Sequence, residues 1–356
     1  MIQSFIIYGF TIVLTSIFTH FSVAARNKFL RRICVALAIL VPTVLSGLRY
    51  NVGTDYKNYF IGFLNIQNGI PSRFEIGFQY LNKLLSFVGF GPQSIYFAST
   101  LIMMCFIYKA IYDQRSDLDV GVSMAIFMMV FFQSSFNITR CMIAVAICLY
   151  NLKHIRNGKL IPFLIFSCLA LSFHLSAIVF FPLYFLRNYA LNSQKKMQRI
   201  LLYFFTAILI TYFSSILKLL LSYLDLNYLS YYAVYMEEVT ILTGSVFKRI
   251  IFYFPIILPV LFIGKEDKET NTFSLYFFIV VIGFIIEIFS VFLSIYVNRI
   301  TNYFLISIVF LLPTYKKIFS RNCIANLGLW GWVTAYWVFI YFVFENNETI
   351  PYQWIL

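Results

Sequence analysis

Long apolar runs, broken by short polar clusters, cover almost the whole chain. They fall near residues 2–23, 33–48, 92–111, 120–137, 140–152, 160–173, 175–188, 200–222, 249–264, 273–295, 300–315 and 324–344. Within each run apolar residues are continuous and do not alternate with period two, which points to helices and away from a barrel. A helix crossing the hydrocarbon core needs about 20 apolar residues, and only helices or closed barrels satisfy their backbone groups in lipid. The pattern predicts an all-α polytopic integral membrane protein with about 12 transmembrane helices, or 10–12 if two of the short fifth, sixth and seventh runs are re-entrant. Residues 2–23 have no basic segment ahead of them and read as a retained span, not a cleaved signal. Residues 1–356 are expected to form a single multi-pass membrane domain, with no internal repeat and no linker.

Two connections are longer than a turn, and both fall on the same side of the predicted membrane: residues 49–91 and residues 222–248. In the first, Phe74, Phe78, Leu81, Leu84, Leu85 and Val88 share one helical stripe, and Glu75, Gln79, Asn82, Lys83 and Ser86 another. That pattern predicts an amphipathic helix lying on the membrane surface. The second is rich in tyrosine, which suits stacking on sugar rings and equally an interfacial aromatic belt.

Composition agrees with the pattern. The chain of 356 residues is 61% hydrophobic and only 12% charged, and its mean hydropathy is +0.83. Soluble domains carry about 25% charged residues, so a water-soluble fold, a disordered chain and a small secreted scaffold are all excluded. The six cysteines form no metal-binding spacing and read as buried free thiols. Charge sets the orientation. Eighteen of the 27 lysines and arginines fall in alternate connections: Arg26 to Arg32, Lys109 and Arg115, Lys153 to Lys159, Arg187 to Arg199, Lys265 and Lys268, and Lys316 to Arg321. Lysine and arginine mark the cytoplasmic side, so both termini are expected outside the cytoplasm. The net charge of +13 is largely this bias and calls for no nucleic-acid partner.

The other nine basic residues run against that trend. Lys57, Arg73, Lys83 and Lys218 suit ordinary snorkelling to headgroups. Arg49, Arg140, Lys248, Arg249 and Arg299 sit where apolar spans meet the outer face, and guanidinium forks there suit an anionic ligand such as a pyrophosphate. His174, in an apolar stretch at the same level, reads either as a hydrogen-bonded structural residue or as a base for a sugar hydroxyl. Asp55 and Glu75 can act as base, accept from a sugar hydroxyl, or pair with Arg49. Glu287 lies inside the tenth span, where an acid is functional or salt-bridged, and a salt bridge to an arginine of the site is the expectation. No nucleotide-binding, zinc or serine-hydrolase motif is present, and no cofactor is expected.

The string Leu48-Arg49-Tyr50-Asn51-Val52-Gly53-Thr54-Asp55-Tyr56-Lys57-Asn58-Tyr59 resembles an element of the EpsG-type membrane proteins of bacterial polysaccharide gene clusters, which include O-antigen polymerases of the Wzy kind. Phe74-Glu75-Ile76-Gly77-Phe78, Asn137 to Ala144 around Arg140, Phe173-His174-Leu175-Ser176-Ala177-Ile178, and Arg299 with Tyr303-Phe304 resemble further elements in the family's order. The resemblance runs from residue 2 to about residue 315, and Cys141 departs from it where glutamine often follows the arginine. It implies a fold like that of C-type glycosyltransferases and a polymerase on the outer face of the bacterial inner membrane. The donor would be an oligosaccharide on undecaprenyl pyrophosphate and the acceptor a second lipid-linked repeat unit. A chain-length-regulating co-polymerase is an implied partner, and an apolar groove between spans would hold the polyprenyl chain. On this resemblance His174, Asp55 and Arg140 are the catalytic candidates, and Arg49, Arg299, Tyr56, Tyr59, Glu75 and Arg249 the substrate-binding ones. Arginine stabilisation of a pyrophosphate leaving group could replace a metal.

The main rival is a flippase for the same lipid-linked sugars. Transporters usually show related halves and bind near the bilayer midplane, whereas here no repeat is visible and the unusual charges sit at one face. A glycan ligase or a decorating transferase is not separated from a polymerase by the residues alone. A structural scaffold would not need arginines in tight outer turns.

Overall fold

A computed structural model describes residues 1–192, 196–211, 244–257, 271–289, 297–318 and 323–355. Among these residues every regular element is helical, and the one β-type pairing is a bridge between Arg49 and Trp354. The first helix, Ile2–Ala24 (α1), shows what kind of fold this is. It buries Ser4, Thr11, Thr15, Thr19 and Ser22, while Ile6, Phe10 and Val13 are each more than half exposed. A soluble helix does the reverse. Small hydroxyl residues let membrane helices approach closely, and their hydroxyls stay satisfied by bonding back along the helix, as Thr19 does to the Thr15 carbonyl at 2.7 Å. The large apolar side chains then face lipid.

Among the described residues three helices are long and apolar enough, by length and composition, to cross a membrane: α1, Lys28–Leu48 (α2) and Ser94–Tyr112 (α5). Between α2 and α5 lie two shorter helices, Tyr56–Gln67 (α3) and Ile76–Phe87 (α4). Shorter apolar stretches such as Val120–Phe136, Leu160–Phe173 and Phe273–Phe289 follow. The whole is a helical architecture consistent with a membrane protein. The described residues form two compact units, Met1–Phe181 with Leu312–Leu356, and Pro182–Leu311.

In the first unit α1 packs on α2 and on Val120–Phe127 (α6), α2 packs on α5, and α5 packs on Thr139–Arg156 (α7). Helix α7 packs in turn on Leu160–Phe173 (α8). Helix α7 is the core, buried on every side from Cys141 to Leu149. The basic ends of the helices meet. Lys153 Nζ donates to Asp113 at 2.9 Å, Lys109 also pairs with Asp113, and Arg156 donates to Gln114 at 2.7 Å. Tyr108 reaches Ser22 at 2.8 Å, so the ends of α1, α5 and α7 lie together.

Several expectations need correction. Helix α2 starts at Lys28, not near 33, because the Asn27 side chain caps it by accepting from the amides of Phe29 and Leu30, and basic residues do not interrupt a helix. The seventh run is broken into Leu175–Phe180, Pro182–Phe185 and Arg187–Leu191, and the eleventh splits into Val297–Leu305 and Ile308–Ile318. Hydropathy registers apolar length and is blind to such breaks. Cys34, Cys141 and Cys148 are buried free thiols, but Cys105 and Cys168 are exposed. In a membrane helix, apolar sequence does not mean burial inside the protein.

The amphipathic helix of the first long connection exists as α4, preceded by the unforeseen α3. Its buried residues are Phe78 and Asn82, and the exposed stripe is Ile76, Tyr80, Leu84, Phe87 and Val88. Leu84 and Val88 are thus exposed as the pattern asks, whereas Phe78 turns inward. The connection 222–248 lies largely outside the described residues, as do the ends of the eighth, ninth and tenth runs.

The path of the C-terminus has no signature in the residue pattern. After a π turn at Phe339–Val343, the chain doubles back along the loop that follows α2. Tyr50 N donates to the Gln353 carbonyl and Gly53 N to the Glu348 carbonyl, both at 2.9 Å, and Ile355 N reaches the Leu48 carbonyl at 2.8 Å. Tyr8 Oη donates to the Thr349 carbonyl at 2.8 Å and Gln133 Nε2 to Thr349 Oγ1 at 3.1 Å. Glu345, Asn347 and Glu348 adopt left-handed backbone conformations in this tail, as does Asn51 in the facing loop.

Candidate functional site

Away from the lysine-rich end of the first unit, α2 ends, α7 begins and α8 ends. Arg140 sits in the first turn of α7, His174 just past α8, and Glu75 just ahead of α4. Glu75 joins the three. One carboxylate oxygen pairs with Arg140 Nη1. The other lies 3.8 Å from His174 Nδ1 and accepts the Leu175 amide at 3.3 Å. The Arg140 guanidinium also lies over the Phe74 ring, 4.7 Å from its centroid. The pairing of Glu75 is therefore with Arg140, where Arg49 had been the expected partner.

Each residue is held by local backbone chemistry. His174 breaks α8 with an extended conformation (φ −157°, ψ 124°), and its ring then caps the next turn. Ser176 N donates to His174 Nδ1 at 3.2 Å, with Ser176 Oγ 2.9 Å from the same nitrogen. A backbone amide can only donate, so the neutral imidazole accepts at Nδ1 and carries its proton at Nε2. Gly77 brings α4 against α8: a Cβ there would meet Ser172 Oγ at 2.6 Å and the Ser172 carbonyl oxygen at 2.8 Å. No side chain larger than hydrogen lets Glu75 approach His174 this way.

The loop after α2 builds a second cluster beside the first. Arg49 is 1% exposed. Its guanidinium lies over the rings of Tyr96 and Phe136, 4.7 and 4.2 Å from their centroids, and Nη2 donates to the Phe136 carbonyl at 3.1 Å. No carboxylate among the described residues is within ion-pair range of it, so the expected pairing with Asp55 is absent. Arg49 lies just past the end of α2. Burial lowers its pKa to about 10, which neighbouring tyrosines partly offset, and it stays a cation at neutral pH. Asp55 is half-buried at the start of α3 and accepts from Asn58 Nδ2 at 3.1 Å. Tyr56 is buried, stacks on Tyr96 with centroids 4.6 Å apart, and donates to Gln93 at 2.7 Å. Tyr59 is buried and donates to the Asn137 carbonyl at 3.1 Å. Both tyrosines thus spend their hydroxyls inside the protein.

In the second unit, Arg249 Nη2 lies 3.1 Å from Glu287 Oε2 and donates to Thr301 Oγ1 at 2.9 Å and to Asn302 Oδ1 at 3.4 Å. The expected salt bridge of the intramembrane acid is therefore present, with Arg249 as the partner. Arg299 lies on helix Val297–Leu305 of the same unit, two residues before Thr301. Among the described residues no cluster of three or more His, Cys, Asp or Glu side chains could hold a metal ion.

Of the nine residues singled out from sequence, Glu75, Arg140 and His174 come together, and Arg49, Tyr56 and Tyr59 form the packed cluster next to them. Arg249 and Arg299 belong to the other unit, and Asp55 sits at the start of α3, bonded to Asn58. Asn137, Gln93 and Ser176 are polar partners that sequence reasoning missed. Asn137 and Ser176 fall inside the quoted strings, yet nothing in their spacing reveals a partner. Gln93 gave no signal at all, since its contacts depend on where α5 starts.

No curated protein and no solved structure matches the chain. The model of the EpsG family matches residues 32–354, beyond the limit near residue 315 drawn from the motifs and including the tail that packs on the Arg49 loop. The match covers nearly the whole chain, so this protein belongs to the EpsG family, a family like the Wzy-type polymerases.

Proposed function

We propose that this protein is a polysaccharide polymerase that joins oligosaccharide repeat units carried on undecaprenyl pyrophosphate. The observation that carries the reading is the Glu75–Arg140–His174 cluster, assembled from three separated family elements in a chain of that family. The acceptor hydroxyl attacks the anomeric carbon of the donor, the bond from that carbon to the pyrophosphate oxygen breaks, and lipid pyrophosphate leaves with the bonding electrons. Arg140 meets the charge that develops on the leaving group. Glu75 fixes the direction of the guanidinium and keeps it from leaving its place between ligand encounters. His174, protonated at Nε2 in its neutral form, donates a hydrogen bond to the same phosphate oxygens or to the sugar.

The acceptor proton needs a base. His174 Nδ1 is engaged by Ser176, which favours the half-exposed carboxyl of Asp55 as the group that takes it. Arg299 is an independent candidate for pyrophosphate on the second unit. On this reading the protein sits in the bacterial inner membrane with a C-type-glycosyltransferase-like arrangement and both termini outside the cytoplasm. Helix α4 lies on the outer surface with Ile76, Tyr80 and Leu84 toward lipid, and a co-polymerase sets chain length. A cation-coupled flippase would need an acid within a span to bind its cation, and Glu287 is paired with Arg249, which weakens that alternative.

The test uses purified wild type, Arg140→Ala and His174→Ala with a lipid-pyrophosphate-linked repeat unit, the products being resolved by repeat number. A ladder from wild type, lost in variants that remain folded, is expected. Movement of the lipid-linked sugar between leaflets without any ladder would overturn the proposal in favour of a flippase.

A further inference from the structure

The turn at Phe136 and Asn137, where a 3-10 helix (Gln133–Phe136) ends ahead of α7, lies close before Arg140 and is unusually well tethered. Arg49 donates to the Phe136 carbonyl and stacks on the Phe136 ring. Tyr59 donates to the Asn137 carbonyl at 3.1 Å, and Asn137 Nδ2 donates to the Asn347 carbonyl of the C-terminal tail at 2.9 Å. Gly53, at φ +93°, presses against the Asn137 side chain where no Cβ would fit. Two stretches far apart in sequence, residues 49–59 and the C-terminal tail, converge on one turn.

Arg49 is the costly member of this set. It is fully buried, and its Nε and Nη1 make no hydrogen bond. Its backbone is pinned on both sides: Gln93 Nε2 donates to its carbonyl at 2.8 Å, and the strand-like bridge to Trp354 covers it. A buried cation without a counter-charge is expensive, and a hydrophobic replacement of similar volume is often neutral or stabilising. Folding alone therefore gives weak reason to keep an arginine here. A guanidinium enclosed by two rings and the tail is also poorly placed to meet a lipid pyrophosphate.

We propose that Arg49, together with Asn137, is a positioning residue that sets the place of Arg140 through the Phe136–Asn137 turn and does not itself touch the pyrophosphate. The inference rests on the polymerase reading. An arginine suits the task because its planar face covers an aromatic ring while an in-plane N–H meets the carbonyl beside it, and lysine cannot do both. The consequence is kinetic. Displacing a charge-stabilising group by about 1 Å costs on the order of 10²-fold in rate. A substrate-binding arginine would instead show its loss in KM and in affinity.

The experiment compares wild type, Arg49→Met, Arg49→Lys, Asn137→Ala and Arg140→Lys. It measures initial rates of ladder formation over a range of lipid-linked repeat-unit concentrations, and the thermal shift given by undecaprenyl pyrophosphate. The expected result for both Arg49 variants is a kcat lower by about 10²-fold, with KM within about twofold and the thermal shift kept. Arg49→Met should melt no lower than wild type, and Arg140→Lys should lose the shift. Wild-type kinetics in Arg49→Met would overturn the inference while leaving the polymerase reading intact. So would a raised KM with kcat kept and the shift lost, which would make Arg49 a direct ligand. If Arg49→Met does not fold, Asn137→Ala decides: a fall in kcat alone supports the inference, and an unchanged kcat overturns it. Absence of a ladder from wild type overturns the polymerase reading and this inference with it.

Discussion

Gly77→Ala tests the packing that brings Glu75 to His174. In an exposed helix interior, exchanging glycine for alanine stabilises by about 1 kcal/mol, because the backbone loses less freedom on folding. At Gly77 the new Cβ would stand 2.6 Å from Ser172 Oγ and 2.8 Å from the Ser172 carbonyl oxygen. The hydroxyl can rotate, but the carbonyl is backbone within α8. To restore ordinary contact at 3.4 Å, α4 and α8 must separate locally by about 0.6 Å. Overpacking of this kind costs about 1–3 kcal/mol, enough to cancel or exceed the helix gain. The same displacement acts on function, since Glu75 precedes Gly77 by two residues and His174 follows Ser172 by two. Gly331, on helix Cys323–Val338, supplies the control, because a Cβ there meets nothing within 4 Å. Gly331→Ala is expected to melt at or above wild type in detergent with full polymerisation. Gly77→Ala is expected to melt lower and lose most of its activity. If Gly77→Ala is as stable as Gly331→Ala and makes the wild-type ladder, the contact between α4 and α8 does not set the Glu75–His174 geometry.

Two further outcomes follow from charges placed by the fold. Arg249→Ala leaves the fully buried Glu287 without its cation and should cost about 3–5 kcal/mol, whereas the double replacement Glu287→Met with Arg249→Met should recover most of it. Thermal unfolding in detergent reads this, and a single variant no worse than the double refutes the pairing. Asp113 lies just past the end of α5; burial alone would raise its carboxyl, but hydrogen bonds from Lys109 and Lys153 outweigh that and hold it below the usual carboxylate range. Its contribution is complete above the ordinary aspartate value near pH 4 and is lost as pH falls through the lower folded value. Asp113→Asn should therefore be less stable near neutrality and show a shallower loss below about pH 4, and parallel melting curves for the two proteins would refute that.

Apolar length, unbroken by alternation, fixed the membrane-helical class, because no other element satisfies its backbone in lipid. It also located α1, α2 and α5 to within a few residues. Hydropathy did not reveal the breaks at 175–191 and 305–308, since a broken helix and a straight one share the same composition. The role of Glu287 was legible for a physical reason: an acid at that depth must find a counter-charge. Which arginine it finds was not, because that depends on how helix Gly244–Ile257 is packed.

The same division runs through the site. The sequence by itself marked Arg49, Glu75, Arg140 and His174 as anomalies, because charge at the end of an apolar span carries a cost that demands a reason. Only the tertiary structure decided their partners. It paired Glu75 with Arg140, turned the imidazole with Ser176, buried Arg49 between Tyr96 and Phe136, and brought the C-terminal tail back over the loop that holds it. Anomalous charge is a local property and can be read residue by residue. Partnership is a matter of ångströms between segments that can lie 341 residues apart, and only the packed helices set those distances.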